Sequence, residues 1–130
     1  MATIFEKIVK GEIPAYKIAE NENFLAFLDV FPIVKGHVLV IPKVATDYIF
    51  TESDNTIAEL MVFAKKVANA MDKSFDAKRI GVSVIGLEVP HTHVHLIPIN
   101  NVADMDFGRP KLQLDKAEML DIAERIKINL

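Results

Sequence analysis

One long amphipathic stretch, flanked by short apolar runs, constrains the fold of this chain most. Over residues 53–73, Ile57, Leu60, Met61, Ala64, Val67, Ala68 and Met71 recur at i, i+3, i+4 and i+7, with Lys65, Lys66 and Asp72 between them. That spacing predicts a helix with one buried face, capped by Ser53 or Asp54. The other elements are short. Residues 3–10 predict a small helix in which Thr3 caps, Glu6 stands at capping-box spacing and Gly11 ends the run; Ile4, Phe5, Ile8 and Val9 share a face. Strands are predicted over residues 16–19, 24–29, 37–41, 79–85 and 89–99, and residues 31–36 and 100–110 read as loops. A last helix begins near Asp115, with Glu118 three residues on and Leu114, Met119, Ile122, Ala123 and Ile126 as its apolar side. Short neighbouring strands with few helices between them predict an α+β fold: an antiparallel sheet of about five strands, one long helix and one or two short ones.

At 130 residues the expectation is one domain over residues 1–130, because two halves would be too small to bury a core each. A hydrophobic fraction of 51% with 25% charged residues excludes a disordered chain. The formal net charge of −3 argues against nucleic acid as a partner, while a small anionic ligand needs only a local group of donors. Cysteine is absent, so neither a disulfide nor a thiolate zinc site is open to this chain. No signal-peptide layout and no apolar run of roughly 20 residues is present, so the expected location is the cytoplasm, with no membrane partner.

Three of the four histidines fall at positions 91, 93 and 95. On a strand, alternate residues share a face about 6.6–6.8 Å apart, so Val94 and Leu96 would anchor one side while three imidazoles line the other. Solvated surface residues are one reading, though three in register make a weak case for it. A zinc site is another, but a spread of about 13 Å is too wide for one ion held at roughly 2 Å by each ligand. At most two of the three, with an outside ligand such as His37, could chelate; no metal and no cofactor are expected. Catalysis is the third reading. An imidazole attacks phosphorus directly, splitting one hard displacement into two easier ones, and its neighbours hold phosphate oxygens or a leaving group.

The run His91-Thr92-His93-Val94-His95-Leu96-Ile97 resembles the signature of the histidine triad family, in which histidines alternate with apolar residues, and departs from it only at Thr92. The segments from Ile4 to Pro14, Ala26 to Asp29 and Gly36 to Lys43 are similar to the family's nucleotide-binding branch. The likeness spans about residues 3–106, with a C-terminal helical extension over about 114–128. The resemblance implies a fold of antiparallel strands with a long helix, a site for a purine nucleotide such as AMP or a phosphoramidate, and a homodimer. It implies His93 as the nucleophile on the α-phosphate, His95 on the phosphate, His91 orienting His93 through its backbone carbonyl, and His37 in support behind them. Phe5, Ile8, Phe27, Leu28 and Val30 match the purine wall, and Asp29 the ribose-binding carboxylate.

The chain departs from the family just before the triad, where it reads Gly81-Val82-Ser83-Val84-Ile85-Gly86-Leu87-Glu88-Val89-Pro90. An Asn-bearing loop is missing, Leu87 takes a Gln place and Glu88 a Ser/Thr place. Glu88 is therefore a candidate acid towards an amine leaving group, with a solvated turn residue as its alternative reading. The expected function is a phosphoramidase-like hydrolase or transferase working through a nucleotidyl-histidine. The alternatives are a nucleotide-sensing dimer with little turnover and a dinucleoside polyphosphate hydrolase.

Overall fold

The computed structural model describes residues 2–130. Helix α1 (Ile4–Val9) is followed by strands β1 (Lys17–Glu20), β2 (Phe24–Leu28) and β3 (Val38–Pro42). The long helix α2 (Asp54–Ser74), strands β4 (Arg79–Ser83) and β5 (Val94–Ile99), and helix α3 (Lys116–Ile128) complete the chain. The five strands form one antiparallel sheet in the order β1-β2-β3-β5-β4, the α+β architecture expected from the strand pattern.

Local chemistry sets the helix ends. Thr3 accepts from the Glu6 amide while the Glu6 carboxylate accepts from the Thr3 amide, a complete capping box. Ser53, rather than Asp54, caps α2 by accepting from Thr56 N–H, and Asp115 caps α3 by accepting from Glu118 N–H.

Alternation along the strands divides the apolar residues between two cores. Phe24, Ala26, Leu28, Val38, Val40, Val94 and Leu96 point to the face covered by α2 and α3, where Leu60, Val67, Met71, Ile122 and Ile126 meet them. Leu25, Phe27, Leu39 and Ile41 point the other way and pack under α1 against Phe5 and Ile8. Ile4, expected on the apolar side of α1, is exposed instead. Phe63 of α2, outside the apolar set that the helical spacing picks out, is buried against Phe24 with ring centroids 5.7 Å apart. No helix among the described residues is long and apolar enough to cross a membrane.

Two strands are shorter than their sequence pattern. β4 ends at Ser83 rather than residue 85, and β5 starts at Val94 rather than residue 89. Pro90 lacks a ladder donor, and the His91 amide turns back onto the Val89 carbonyl at 2.8 Å, so residues 89–93 approach the sheet as a loop. The loop over residues 100–110 contains a 3-10 turn at Val102–Met105.

Gly36 closes the loop into β3. Its φ of +91° is unfavourable for an L side chain, and a Cβ there would sit 2.7 Å from the Phe75 ring at the end of α2. Gly36→Ala should therefore lower unfolding free energy by roughly 2–4 kcal/mol, combining left-handed strain with overpacking. Urea unfolding checks this, and an unchanged midpoint would contradict the packing described.

Candidate active site

The face of the sheet under α1 carries the polar exception to the core. His37 directly precedes β3 and shares its face with Leu39 and Ile41, while His95 stands opposite Leu39 in the β3–β5 register. Antiparallel pairing thus makes His37 and His95 diagonal neighbours, within reach of one another across the two central strands. Their rings lie with centroids 5.1 Å apart, and His93 follows at 5.0 Å from His95. All four histidines are buried, at 8% exposure or less.

Their hydrogen bonds leave one tautomer for each ring. The Ile33 amide donates to His37 Nδ1 at 3.3 Å, so the His37 proton resides on Nε2 and is donated to His95 Nδ1 at 2.9 Å. His95 consequently carries its own proton on Nε2. His93 Nδ1 donates to the His91 carbonyl at 2.6 Å, which leaves the Nε2 lone pair of His93 free. His91 donates from Nε2 to the Pro42 carbonyl at 2.7 Å and accepts at Nδ1 from the Thr3 hydroxyl at 2.8 Å. The Thr3 oxygen that caps α1 therefore also locks His91, so the first helix and the histidine cluster are tied through a single hydroxyl.

His93, His95 and His37 open onto a cavity of about 480 Å³. Phe5, Ile8 and Phe27 form an apolar wall, and the Phe5 ring meets His93 edge-on at 5.1 Å. Asp29 is on the rim, 3.7 Å from His37 Nε2, with one oxygen accepting from the Phe31 amide. Val30, half exposed, borders the same opening, as does Leu28, whose side chain packs into the core on the opposite face. Ile85, Leu87 and Glu88 form the opposite rim, with Leu87 almost fully exposed.

His91 is the exception among the sequence candidates. The pattern predicted three imidazoles lining one surface; His91 is fully buried, outside the cavity, between Thr3 and Pro42. The physical reason is that β5 begins only at Val94, so strand alternation does not govern residue 91. The same departure accounts for Thr92. Its amide and hydroxyl both donate to the Thr46 carbonyl, at 2.6 and 2.7 Å, a polar task that an apolar residue could not perform.

Two lining residues had no place in the sequence reading. Phe107 presses its ring against His95 with centroids 4.7 Å apart, and Lys111 borders the cavity beyond it. The available signal was one phenylalanine in an otherwise polar loop, followed by Gly108-Arg109-Pro110-Lys111. Asp29, His37 and His95 also place a carboxylate oxygen and two imidazole nitrogens within 4.8 Å of one another, a donor set that suits a divalent cation. An ion there would have to displace the His37–His95 hydrogen bond.

Burial depresses both rings of that pair, to a pKa of about 3 each; the Lys111 charge is the next cause at His37, and the neighbouring His37 at His95. Burial also lowers His91, partly offset by its bond to Pro42. The His37–His95 pair is accordingly neutral at pH 7. A depressed native pKa means that the unfolded chain binds the extra protons first as acid is added. The stability from the neutral pair is present above the unfolded value of 6.5 and is lost as pH falls towards 3. At pH 5 each histidine should cost about 2 kcal/mol relative to pH 7, with roughly two protons taken up on unfolding. Denaturant titrations at both pH values check this; equal stability at pH 7 and pH 5 would rule out a neutral buried pair.

Residues 10–102 match the HIT domain family. The chain is 36% identical over 128 residues to the adenosine 5′-monophosphoramidase hnt1 of Schizosaccharomyces pombe, covering 97% of this chain and 96% of that protein. Among solved structures, a HIT-like protein from Bartonella henselae superposes with a TM-score of 0.85 at 28% identity, covering 98% of this chain and 96% of that one. A zinc-bound histidine triad family protein from Mycobacterium smegmatis gives 0.81 at 27% identity, with 99% and 93% covered. With the family match spanning most of the chain and the sheet, helices and histidine cluster in accord with it, this protein belongs to the HIT domain family.

Proposed function

We propose that the chain is a phosphoramidase-like hydrolase or transferase acting on the α-phosphate of a purine nucleotide derivative. One observation carries the reading: His93 is held by the His91 carbonyl at Nδ1 so that its Nε2 is left without a partner among the described residues, at the cavity and with its ring centroid 5.0 Å from that of His95. An imidazole attacks only through an unprotonated nitrogen, and a developing phosphorane needs donors already in position. The relation to the S. pombe adenosine 5′-monophosphoramidase supports the same chemistry.

In this reading the purine lies in the slot of Phe5, Ile8 and Phe27, beside Leu28 and Val30, and Asp29 accepts from the ribose hydroxyls. His93 Nε2 forms a bond to the α-phosphorus as the bond to the leaving nitrogen breaks. The leaving nitrogen takes a proton, and Glu88 on the rim is the group proposed to supply it. His95 donates to a non-bridging oxygen, and the His37 proton on its other face keeps it a donor. Water then attacks the nucleotidyl-histidine, loses a proton, and releases the monophosphate with His93 restored. The Phe and Ile positions would serve a packed core equally well; the free nitrogen at His93 would not.

His93→Ala should lower turnover of an adenosine phosphoramidate by at least about 10³-fold, while AMP affinity changes little. Rapid quench with intact-mass spectrometry should find a nucleotidyl adduct on the wild-type peptide containing His93 and none on the variant. A wild-type protein that binds AMP but never forms the adduct would favour a nucleotide sensor, and one active only on dinucleoside polyphosphates would favour the alternative hydrolase.

The proposal includes a homodimer. β4 is an edge strand with Val82 exposed and Val84 exposed just beyond its end, and α2 exposes Met61 and Val62; unpaired edges and apolar patches of this kind are commonly covered by a partner. Sedimentation at micromolar concentration should give twice the 14.5 kDa chain mass. A monomer would remove this part of the proposal.

A further inference from the structure

The cavity lacks positive charge where a phosphate would lie. His37 and His95 are neutral by their hydrogen bonding, and two of the three charged residues lining the cavity, Asp29 and Glu88, are acidic. A phosphate brought next to His93 and His95 would meet repulsion from the Asp29 carboxylate. The third charged residue is Lys111.

Lys111 is held beside the site by its neighbours. The Leu112 amide donates to the Pro32 carbonyl at 2.8 Å, which fastens this stretch of chain to the loop that leads into His37. The Phe107 ring lies between the lysine and the triad: Lys111 Nζ is 5.9 Å from that ring's centroid, and the ring meets His95 at 4.7 Å and His37 at 6.2 Å. Among the described residues Lys111 forms no ion pair, whereas Lys17, Lys35, Lys43 and Lys127 do. Its ammonium donates to the Phe107 carbonyl at 3.4 Å, a long and exposed bond that costs little to break. The lysine charge reaches the rings of both His37 and His95, where it opposes protonation.

We propose that Lys111 is a phosphate-binding residue, its ammonium moving from the Phe107 carbonyl onto a non-bridging oxygen of the nucleotide held at His93 and His95. Lys111 supplies the charge and the histidines supply aligned donors and the nucleophile. That division solves a conflict of requirements: protonating a histidine to attract the phosphate would remove either the nucleophile or the donor chain. A flexible ammonium outside the hydrogen-bonded cluster attracts the anion and leaves the His37–His95 hydrogen bond intact. The apolar slot, which contacts the base, owes nothing to it. The inference rests on the nucleotide reading given above.

The test is calorimetric binding of AMP and of adenosine to wild type, Lys111→Met and Lys111→Arg, each at low and high salt. Lys111→Met should weaken AMP about tenfold, the value of one charge-assisted hydrogen bond at a partly open site, and leave adenosine within about twofold. Lys111→Arg should stay within about threefold for AMP. Added salt should weaken AMP binding to wild type more than to Lys111→Met. Lys111 is exposed, so the variants should fold, and unchanged adenosine binding verifies that they have. Wild-type affinity for AMP in Lys111→Met would overturn the inference and leave the nucleotide reading standing. Equal losses for AMP and adenosine would assign Lys111 a structural role and overturn it too. Wild-type protein that binds neither ligand would remove the nucleotide reading and this inference with it.

Discussion

The hydrogen bond from His37 Nε2 to His95 Nδ1 is the constraint on which the site depends. It forms inside a core, between two rings that burial keeps neutral, so its directionality has to be set from elsewhere. The Ile33 amide does so by occupying His37 Nδ1. One backbone donor in the loop before β3 thereby determines which nitrogen of His95, on a different strand, carries a proton towards the cavity. The β3–β5 register, with Val38 opposite Leu96, makes the pairing possible. A shift of one residue would turn His95 into the helix-side core and leave His37 without an acceptor.

A second chain of bonds fixes the other half of the cluster. Thr3 caps α1 and donates to His91, His91 donates to Pro42, and the His91 carbonyl takes the Nδ1 proton of His93. His91 thus acts on its neighbour through the backbone, and its ring serves to hold that backbone still. The two chains approach from opposite sides and leave His93 Nε2 and His95 Nε2–H unused within the protein. Burial and complete hydrogen bonding coincide here: among the described residues no buried side-chain nitrogen or oxygen is left unpartnered.

Much of this was legible in the sequence because it depends on period and capping, which are local. The long helix, Thr3, Ser53 and Asp115 as caps, five short strands and the alternating histidines all follow from spacing. Reading failed where one residue overrode a period. Pro90 ended strand geometry before the triad, so His91 was not in the row its spacing suggested and Thr92 was not facing an apolar layer. Phe63 lies outside the stripe that spacing defines because its partner, Phe24, is distant in sequence. The same applies to Phe107 and Lys111. Their place beside the histidines depends on the route of the chain after β5 and on its bond to Pro32, and neither leaves a periodic trace.

Charge, more than shape, then distinguishes this site from an ordinary buried polar cluster. A cavity of about 480 Å³ with an aromatic wall would admit many flat molecules. An isolated phosphate has little reason to enter it, since a neutral imidazole offers one hydrogen bond and no net attraction. Protonating His37 or His95 would add attraction at the cost of placing a cation in the core, and their pKa values of about 3 show how strongly burial opposes that. The remaining way to balance an anion is a cation that reaches in from solvent, where its desolvation is small. Only the side of the opening formed by the segment after β5 carries such a residue among those lining it, and that segment is held in place by Phe107 on the histidines and by Leu112 on Pro32. The C-terminal part of the chain is therefore continuous with the site, and its packing on the histidine cluster ties the one lysine lining the cavity to the same loop that orients His37.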